Sequence, residues 1–580
     1  MKQKWMIRTK KADFFELAER YKISPVVARL MINRDVPEDK FDIYLNGDET
    51  YMYDGSLLKD LDKAVEILKE KIADKKKIRV VGDYDIDGVC ATYILTDVIG
   101  FLGGDVDMQI PERIRDGYGI NNDIIKKAIA DGVDTIITCD NGIAAVDSAK
   151  LAKENSITYI ITDHHEVPYE EISCEKKYLL PDADAIINHR QADCRYPFKG
   201  LCGGAVAYKV AEKLVNNKEK TKEYLMFAAI ATIGDVMILQ DENRVIVKKG
   251  LELIRKTDHI GLNALIEEVK IEKERIDAYH IGFIIGPCIN ASGRLETADI
   301  AYRLLKSESY TQAKEYAKEL VELNEKRKEL TVQQTEKAIE EAGITTDKVL
   351  VLYLPECHES IAGIVAGRIR ESLNKPVFVV TDAEEGLKGS GRSIEAYDMY
   401  AEMTKHNKYF VKYGGHKMAA GFSFANRSDM ESFRKEINED CTLTEEDFVE
   451  KVSIDMVIPF DKINYGLLDE LDKIAPFGNG NEKPLFAAKN VQILKMSLIG
   501  KAKNMLSMQV TDGTGYNMKA LNFGDASEFI AFLKDKFGEK QVENAFLGKL
   551  NDITVNMTFY PSVNVYNGTK SINIIMGHYC

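Results

Sequence analysis

At 580 residues the chain is too long for a single hydrophobic core, and one domain per ~150 residues predicts three or four folded units. With 45% apolar and 29% charged residues it lies far from disordered compositions, and no stretch approaches the ~20 uninterrupted apolar residues of a bilayer helix. Acidic residues outnumber basic ones by 93 to 78, a net charge of −15 that excludes coating nucleic acid through a global positive field, so any such contact must be local.

The start, Met1-Lys2-Gln3-Lys4-Trp5, leads into charged sequence rather than an apolar leader, and the cytoplasm is the expected compartment. Nine cysteines without a Cys-x-x-Cys pair predict reduced, packed thiols rather than disulfides or a zinc site. Helices are predicted over 14–22 and 25–34. Apolar runs then alternate with amphipathic stretches, which predicts βα units and a mainly parallel sheet. The strand candidates are 78–81, 135–138, 159–162 and 185–188, and their carboxyl ends, the ligand-binding edge of an open parallel sheet, carry the unusual residues.

From 309 to 342 there is neither Gly nor Pro, which predicts one long spacer helix stopped by Gly343. A second α/β domain follows, with strands near 349–353 and 377–380 around a helix over 362–373. Beyond about 452, short strand candidates separated by turns such as Thr511-Asp512-Gly513-Thr514-Gly515 and Asn567-Gly568 predict a small β-barrel or sandwich.

The chemistry begins at Asp83-Tyr84-Asp85-Ile86-Asp87-Gly88. If the extended backbone of the preceding strand persists, Asp83, Asp85 and Asp87 point to one side, with Tyr84 and Ile86 behind them. Converging carboxylates repel unless a cation sits among them. A calcium-binding EF-hand loop is rejected because Ile94 occupies its twelfth position, where Glu is needed. The next two strand ends carry Asp140-Asn141-Gly142 and Asp163-His164-His165, and Asp235 stands in an otherwise apolar, helix-like stretch. Many Asp oxygens with one or two imidazoles suit Mn²⁺ or Mg²⁺ better than zinc. Two ions in such a site fit hydrolysis of a phosphate ester.

This set resembles the DHH phosphoesterase superfamily, named for its Asp-His-His triplet, and within it the branch of single-strand-specific 5′ to 3′ exonucleases. The resemblance extends to Pro111-Glu112-Arg113 with Gly117-Tyr118-Gly119, to Cys194-Arg195-Tyr196-Pro197-Phe198 with Leu201-Cys202-Gly203-Gly204, and to Pro287-Cys288-Ile289-Asn290-Ala291-Ser292-Gly293-Arg294. The second α/β body is similar to the DHH-associated domain through Gly389-Ser390-Gly391-Arg392-Ser393 and Gly414-Gly415-His416-Lys417-Met418-Ala419-Ala420-Gly421. The tail, from Pro476-Phe477-Gly478-Asn479-Gly480-Asn481, resembles an oligonucleotide-binding (OB) β-barrel, where Phe559, Tyr560 and Tyr566 are candidates to stack on bases. Cys357-His358-Glu359-Ser360, Gly367-Arg368 and Asn188-His189 depart from the family pattern, which bears on the grip of nucleic acid rather than on catalysis.

The resemblance implies an N-terminal helical segment over 1–50, a DHH catalytic domain over 51–306, a connecting helix over 307–345, a DHH-associated domain over 346–450 and an OB domain over 451–580. It implies a shell of Asp83, Asp85, Asp87, Asp140, His164 and Asp235 for two Mn²⁺ or Mg²⁺ ions, with Asp87 and Asp140 bridging. His165 would contact or protonate the phosphate, supported by Asp163. Arg113, Asn290, Arg294, Ser390, Arg392 and His416 would hold the nucleic-acid backbone, with Arg294, Ser390 and Arg392 as the pocket for a 5′ phosphate. The expected activity is release of mononucleotides from single-stranded DNA in repair and recombination, by a monomer with a single-strand-binding protein and a helicase as partners and no membrane association. A phosphodiesterase for short oligoribonucleotides or cyclic dinucleotides is the alternative, distinguished by its lack of a terminal barrel. A non-catalytic replication scaffold would usually have lost metal ligands.

Overall fold

Short runs of Ile, Val and Thr buried on both faces form a five-stranded sheet, as expected when helices cover both sides. In this computed structural model, which describes residues 3–172, 175–566 and 569–580, the strands run in the order Asp105–Gln109, Lys77–Val81, Thr135–Cys139, Thr158–Thr162 and Ala185–Ile187, all parallel. From Lys77–Val81 the chain first adds a strand on one side and then crosses to the other. The resulting switch point lies between the carboxyl ends of Val81 and Cys139, where an open sheet presents a crevice to ligand.

The 35-residue helix Tyr310–Ile344, ~52 Å at 1.5 Å per residue, follows as predicted, although Gly343 lies inside its last turn and Thr345 caps it. The second sheet runs Phe410–His416, Ala419–Phe424, Leu387–Arg392, Val377–Asp382, Leu350–Tyr353, with only the last pair parallel. Helix Ala362–Leu373 packs on it through Val365, Ala366 and Ile369. Both sheets belong to one compact unit that contains 49–238 and 242–450.

Residues 3–48, 239–241 and 451–580 form the other unit. Its strands Phe486–Ile499, Met505–Thr511, Asn517–Asn522, Thr569–Tyr579 and Thr554–Tyr566 close into a barrel because the first also pairs with the last. The N-terminal helices Phe14–Tyr21 and Pro25–Asn33 form as expected, but they do not stand apart: Leu17, Val27, Leu30, Met31 and Phe41 share a core with Phe460, Ile493 and Val510. An amphipathic helix of eight or nine residues is marginal alone and takes its stability from the face it buries. Residues 3–7 form a strand that the sequence did not suggest.

Phe559 is fully buried between Phe460 and Phe486, so it is a core residue and not a stacking platform. The Asn567-Gly568 turn and the ring of Tyr566 lie outside the described residues. Among the described residues no helix is long and apolar enough to cross a membrane.

Candidate metal centre and anion pocket

Strand Lys77–Val81 ends before the first acidic motif, and the chain turns sharply into helix Ile86–Phe101. The extended hexapeptide expected from the sequence is therefore corrected. Asp85 is the N-cap, its Oδ1 accepting from Asp87 N at 2.9 Å and Gly88 N at 3.1 Å, and Asp87 sits in the first helical turn. The carboxylates converge because strand end, cap and first turn fold over one point. Asn290 secures this bend by accepting from Ile86 N at 2.8 Å.

At the end of Thr135–Cys139, Asp140 adopts φ +61, a left-handed backbone that turns its carboxylate toward the same point. Its Oδ1 lies 3.0 Å from His164 Nε2, which is also 3.6 Å from Asp87 Oδ2 and 3.8 Å from Asp235 Oδ2. Asp235 caps the C-terminus of helix Lys218–Gly234 rather than lying inside it. Donor atoms fall into overlapping groups, each within 4.8 Å: Asp83, Asp85 and Asp140; Asp87, His164 and Asp235; and Asp140, His164 and His165. All six residues of the expected shell are thus brought together, with Asp140 common to both sides.

Asp87 is held by the start of helix Gly203–Leu214, where Gly203 N donates to Oδ2 and Gly204 N to Oδ1, both at 2.7 Å. Glycine is required for this approach: a Cβ on Gly203 would lie 2.6 Å from Asp140 Cβ. Burial and the neighbouring carboxylates raise Asp83, Asp85 and Asp140 above the ordinary carboxylate range, and Asp235 to about 8. Among the described residues, buried Asp83 Oδ1 has no hydrogen-bond partner. A pocket of mutually repelling carboxylates with an orphaned oxygen and one neutral imidazole fits hard divalent cations.

Asp163 hydrogen-bonds within the triplet. Its Oδ1 accepts from His164 N at 2.7 Å and His165 N at 3.1 Å and lies 2.7 Å from His165 Nδ1, while Oδ2 accepts from Ile143 N at 2.9 Å. Burial alone would lower His165, but the Asp163 carboxylate outweighs it and raises the imidazole to about 9. His164 is lowered, because burial outweighs the nearby Asp87 carboxylate. Three residues absent from the sequence-based site complete the frame. Tyr118 O–H donates to Asp140 O at 2.8 Å and lies 3.1 Å from His165 Nε2, Arg190 Nε donates to His164 O at 2.9 Å, and Asn188 Nδ2 donates to His165 O at 2.9 Å. The Gly117-Tyr118-Gly119 motif signals the first of these. Nothing local signals Arg190.

Arg294, Ser390 and Arg392, the residues expected to hold a 5′ phosphate, come together at the start of helix Ala362–Leu373. Arg294 Nη1 donates to Ser360 O at 2.9 Å, and a methyl group on Gly363 would lie 3.0 Å from Arg392 Nη2 and 3.4 Å from Ser390 Cβ. The Arg113 guanidinium stacks 4.5 Å over Tyr84. Arg294 is pulled down to about 10 by burial and by Arg113 and Arg327, and Arg392 is lowered by burial, Arg370 and Arg113. Among the described residues none of Arg113, Arg294 and Arg392 forms a salt bridge. His416 is exposed at the hairpin end of Phe410–His416.

Family models match over three segments: the DHH family N-terminal domain at 77–232, the DHHA1 domain at 346–442 and the RecJ OB domain at 454–578. The single-stranded-DNA-specific exonuclease RecJ of Bacillus subtilis is 35% identical over 90% of this chain and 67% of its own length. The chain belongs to the RecJ family. RecJ of Salmonella typhimurium is 30% identical across 99% of both chains. The crystal structure of RecJ from Thermus thermophilus in complex with Mn²⁺ superposes with a TM-score of 0.80 at 26% identity, covering 100% of this chain and 80% of that one. A Mg²⁺ complex of the Thermus protein gives 0.74 at 25% identity, covering 100% and 78%. The fold expected from sequence, two α/β domains joined by a long helix with an OB barrel, is the fold of this RecJ family member.

Proposed function

We propose that this RecJ family protein is a divalent-metal-dependent exonuclease that removes mononucleotides from the 5′ end of single-stranded DNA in repair and recombination. The observation that carries the reading is a carboxylate and imidazole cluster whose donor set suits divalent cations, within the same compact unit as three arginines that lack salt-bridge partners among the described residues. Asp83, Asp85 and Asp140 on one side, and Asp87, His164 and Asp235 on the other, would hold Mn²⁺ or Mg²⁺ as a pair. Bound there, such ions neutralise phosphate charge and lower the pKa of water.

The chain's own groups account for the remainder. Arg113, Arg294 and Arg392 with the Ser390 hydroxyl bind the terminal 5′ phosphate and set polarity by measuring from that end, since Arg engages phosphate bidentately. His165, held by Asp163 and with Nε2 beside the Tyr118 hydroxyl, contacts or protonates the phosphate. Asn290 acts from behind by fixing the Asp83–Asp87 bend, and His416 meets the strand farther out. The barrel supplies the path for the rest of the strand. A monomer in the cytoplasm, served by a single-strand-binding protein and a helicase, completes the reading.

The test is digestion in Mn²⁺ of single strands labelled at either end, carrying 5′ phosphate or 5′ hydroxyl, with blunt duplex and Asp140→Asn as controls. Mononucleotide release from the 5′ end of single strands, abolished by the substitution, is expected. Cleavage restricted to dinucleotides or cyclic dinucleotides would replace this reading with the short-substrate phosphodiesterase, and no cleavage at all would favour a scaffold.

A further inference from the structure

Helix Gly286–Leu295, which carries Asn290 and Arg294, is preceded by a π-helical stretch, Ile281–Ile285. Such five-residue turns are rare and concentrate at functional sites. One side of the stretch is core, with Ile281 and Ile285 fully buried. It also lies close to the metal-ligand residues: a Cβ on Gly282 would contact Ile233 at 3.5 Å, and one on Gly286 would contact Ile86 at 3.2 Å. Ile86 stands between Asp85 and Asp87, and Ile233 stands two residues before Asp235.

The other side carries two aromatic rings in water. Tyr279 is 53% exposed and Phe283 69%, and the rings stack with centroids 5.0 Å apart and planes 26° from parallel. Val236, directly after Asp235, is 65% exposed and held at φ +54, a conformation a β-branched residue rarely adopts. Apolar surface is thus exposed on segments that adjoin the metal-ligand candidates in sequence or through Ile86 and Ile233.

We propose that Tyr279 and Phe283 form a platform on which a base of the single strand stacks as its phosphodiester enters the metal site. This rests on the single-strand reading above and extends it. Every base has a π-face, so the platform is indifferent to sequence, and a base already stacked within a duplex cannot use it. The rings therefore contribute to strand selectivity as well as to affinity. Continuity with the ligand-bearing segments favours nucleic acid over a protein partner on this face.

The experiment compares binding of a 5′-phosphorylated oligothymidylate with that of an abasic strand of equal length, by fluorescence anisotropy on the full chain without metal, beside digestion in Mn²⁺. Phe283→Ala is expected to weaken oligothymidylate binding by about tenfold, the scale of one lost stacking contact, to leave abasic binding unchanged, and to raise KM with little change in kcat. Phe283→Trp should restore binding. Tyr279→Ala serves as a second, independent variant, and melting temperatures identify any that fail to fold. Equal weakening on both strands, or none on either, overturns the platform. If the wild-type protein digests no strand, the exonuclease reading fails, while the contrast between the two strands still decides whether the rings bind bases.

Discussion

Gly203 N–H donates to Asp87 Oδ2 over 2.7 Å at the first turn of a helix whose next residue, Gly204, binds the other oxygen of the same carboxylate. A helix N-terminus thereby orients one ligand by backbone alone, with its partial positive charge toward the anion. Gly203→Ala would force its Cβ to within 2.6 Å of Asp140 Cβ and displace both ligands. The expected result is a ~10–100-fold rise in the Mn²⁺ concentration giving half-maximal activity, the usual cost of disturbing the groups that orient metal ligands. Titrating activity against Mn²⁺ measures it.

Asp163→Asn removes the carboxylate that keeps His165 protonated. In the wild type the raised pKa stabilises the fold fully below about 6.5, and that contribution is lost as pH rises through about 9. Without the carboxylate, burial is opposed only by the more distant Asp235 and Asp87, and the imidazole loses its proton at lower pH. The basic limb of the pH–rate profile should move to lower pH, with a much larger activity loss at pH 8 than at pH 6, and NMR titration of His165 should follow it.

The metal-free protein should lose stability as pH rises from about 4 to about 8. Asp235, raised to about 8, and Asp83 and Asp140, raised well above the ordinary range, keep protons in the fold that the unfolded chain gives up above about pH 4, so folding costs progressively more until they too ionise. Mn²⁺ should flatten the dependence by compensating the charge. Asp235→Asn should flatten it in part. Thermal melts across pH, with and without Mn²⁺, separate these outcomes.

Arg294→Gln should abolish discrimination between 5′ ends. A charge-assisted hydrogen bond is worth about 1.5–3 kcal/mol, so kcat/KM on a 5′-phosphorylated strand should fall by about 10–100-fold, with a smaller effect on the 5′-hydroxyl strand. Equal losses on both substrates would place Arg294 outside the end pocket.

Phe559→Ala should destabilise the barrel-containing unit by about 3–5 kcal/mol, as expected for a fully buried Phe. Denaturant unfolding monitored at Trp5, which packs against Val452 and Ile454 in that unit, reports it.

The contrast between Phe559 and Asp140 shows what the sequence conveyed. Buried parallel strands appear as apolar runs and their ends as polar punctuation, so Asp83, Asp140 and Asp163 were legible as neighbours on one edge. What happens within two residues of a strand end was not. Asp83-Tyr84-Asp85-Ile86-Asp87-Gly88 alternates like a strand, yet Asp85 is also a strong N-cap, and the helix wins because its side chain can satisfy two backbone donors at once. Long-range packing was equally hidden. Nothing in Phe14–Tyr21 indicates that its apolar face belongs against a barrel more than 400 residues away in sequence, and nothing in Phe559-Tyr560 tells which ring faces the core.

Asp140 imposes a practical constraint on experiments. At φ +61 its backbone suits Gly, Asn and Asp, whereas most other residues meet ~1–2 kcal/mol of strain. An alanine there would move the loop as well as remove the charge, and an inactive enzyme would then have two explanations. Asparagine retains both the shape and the backbone preference, so a blank result with that substitution reports on the missing charge alone.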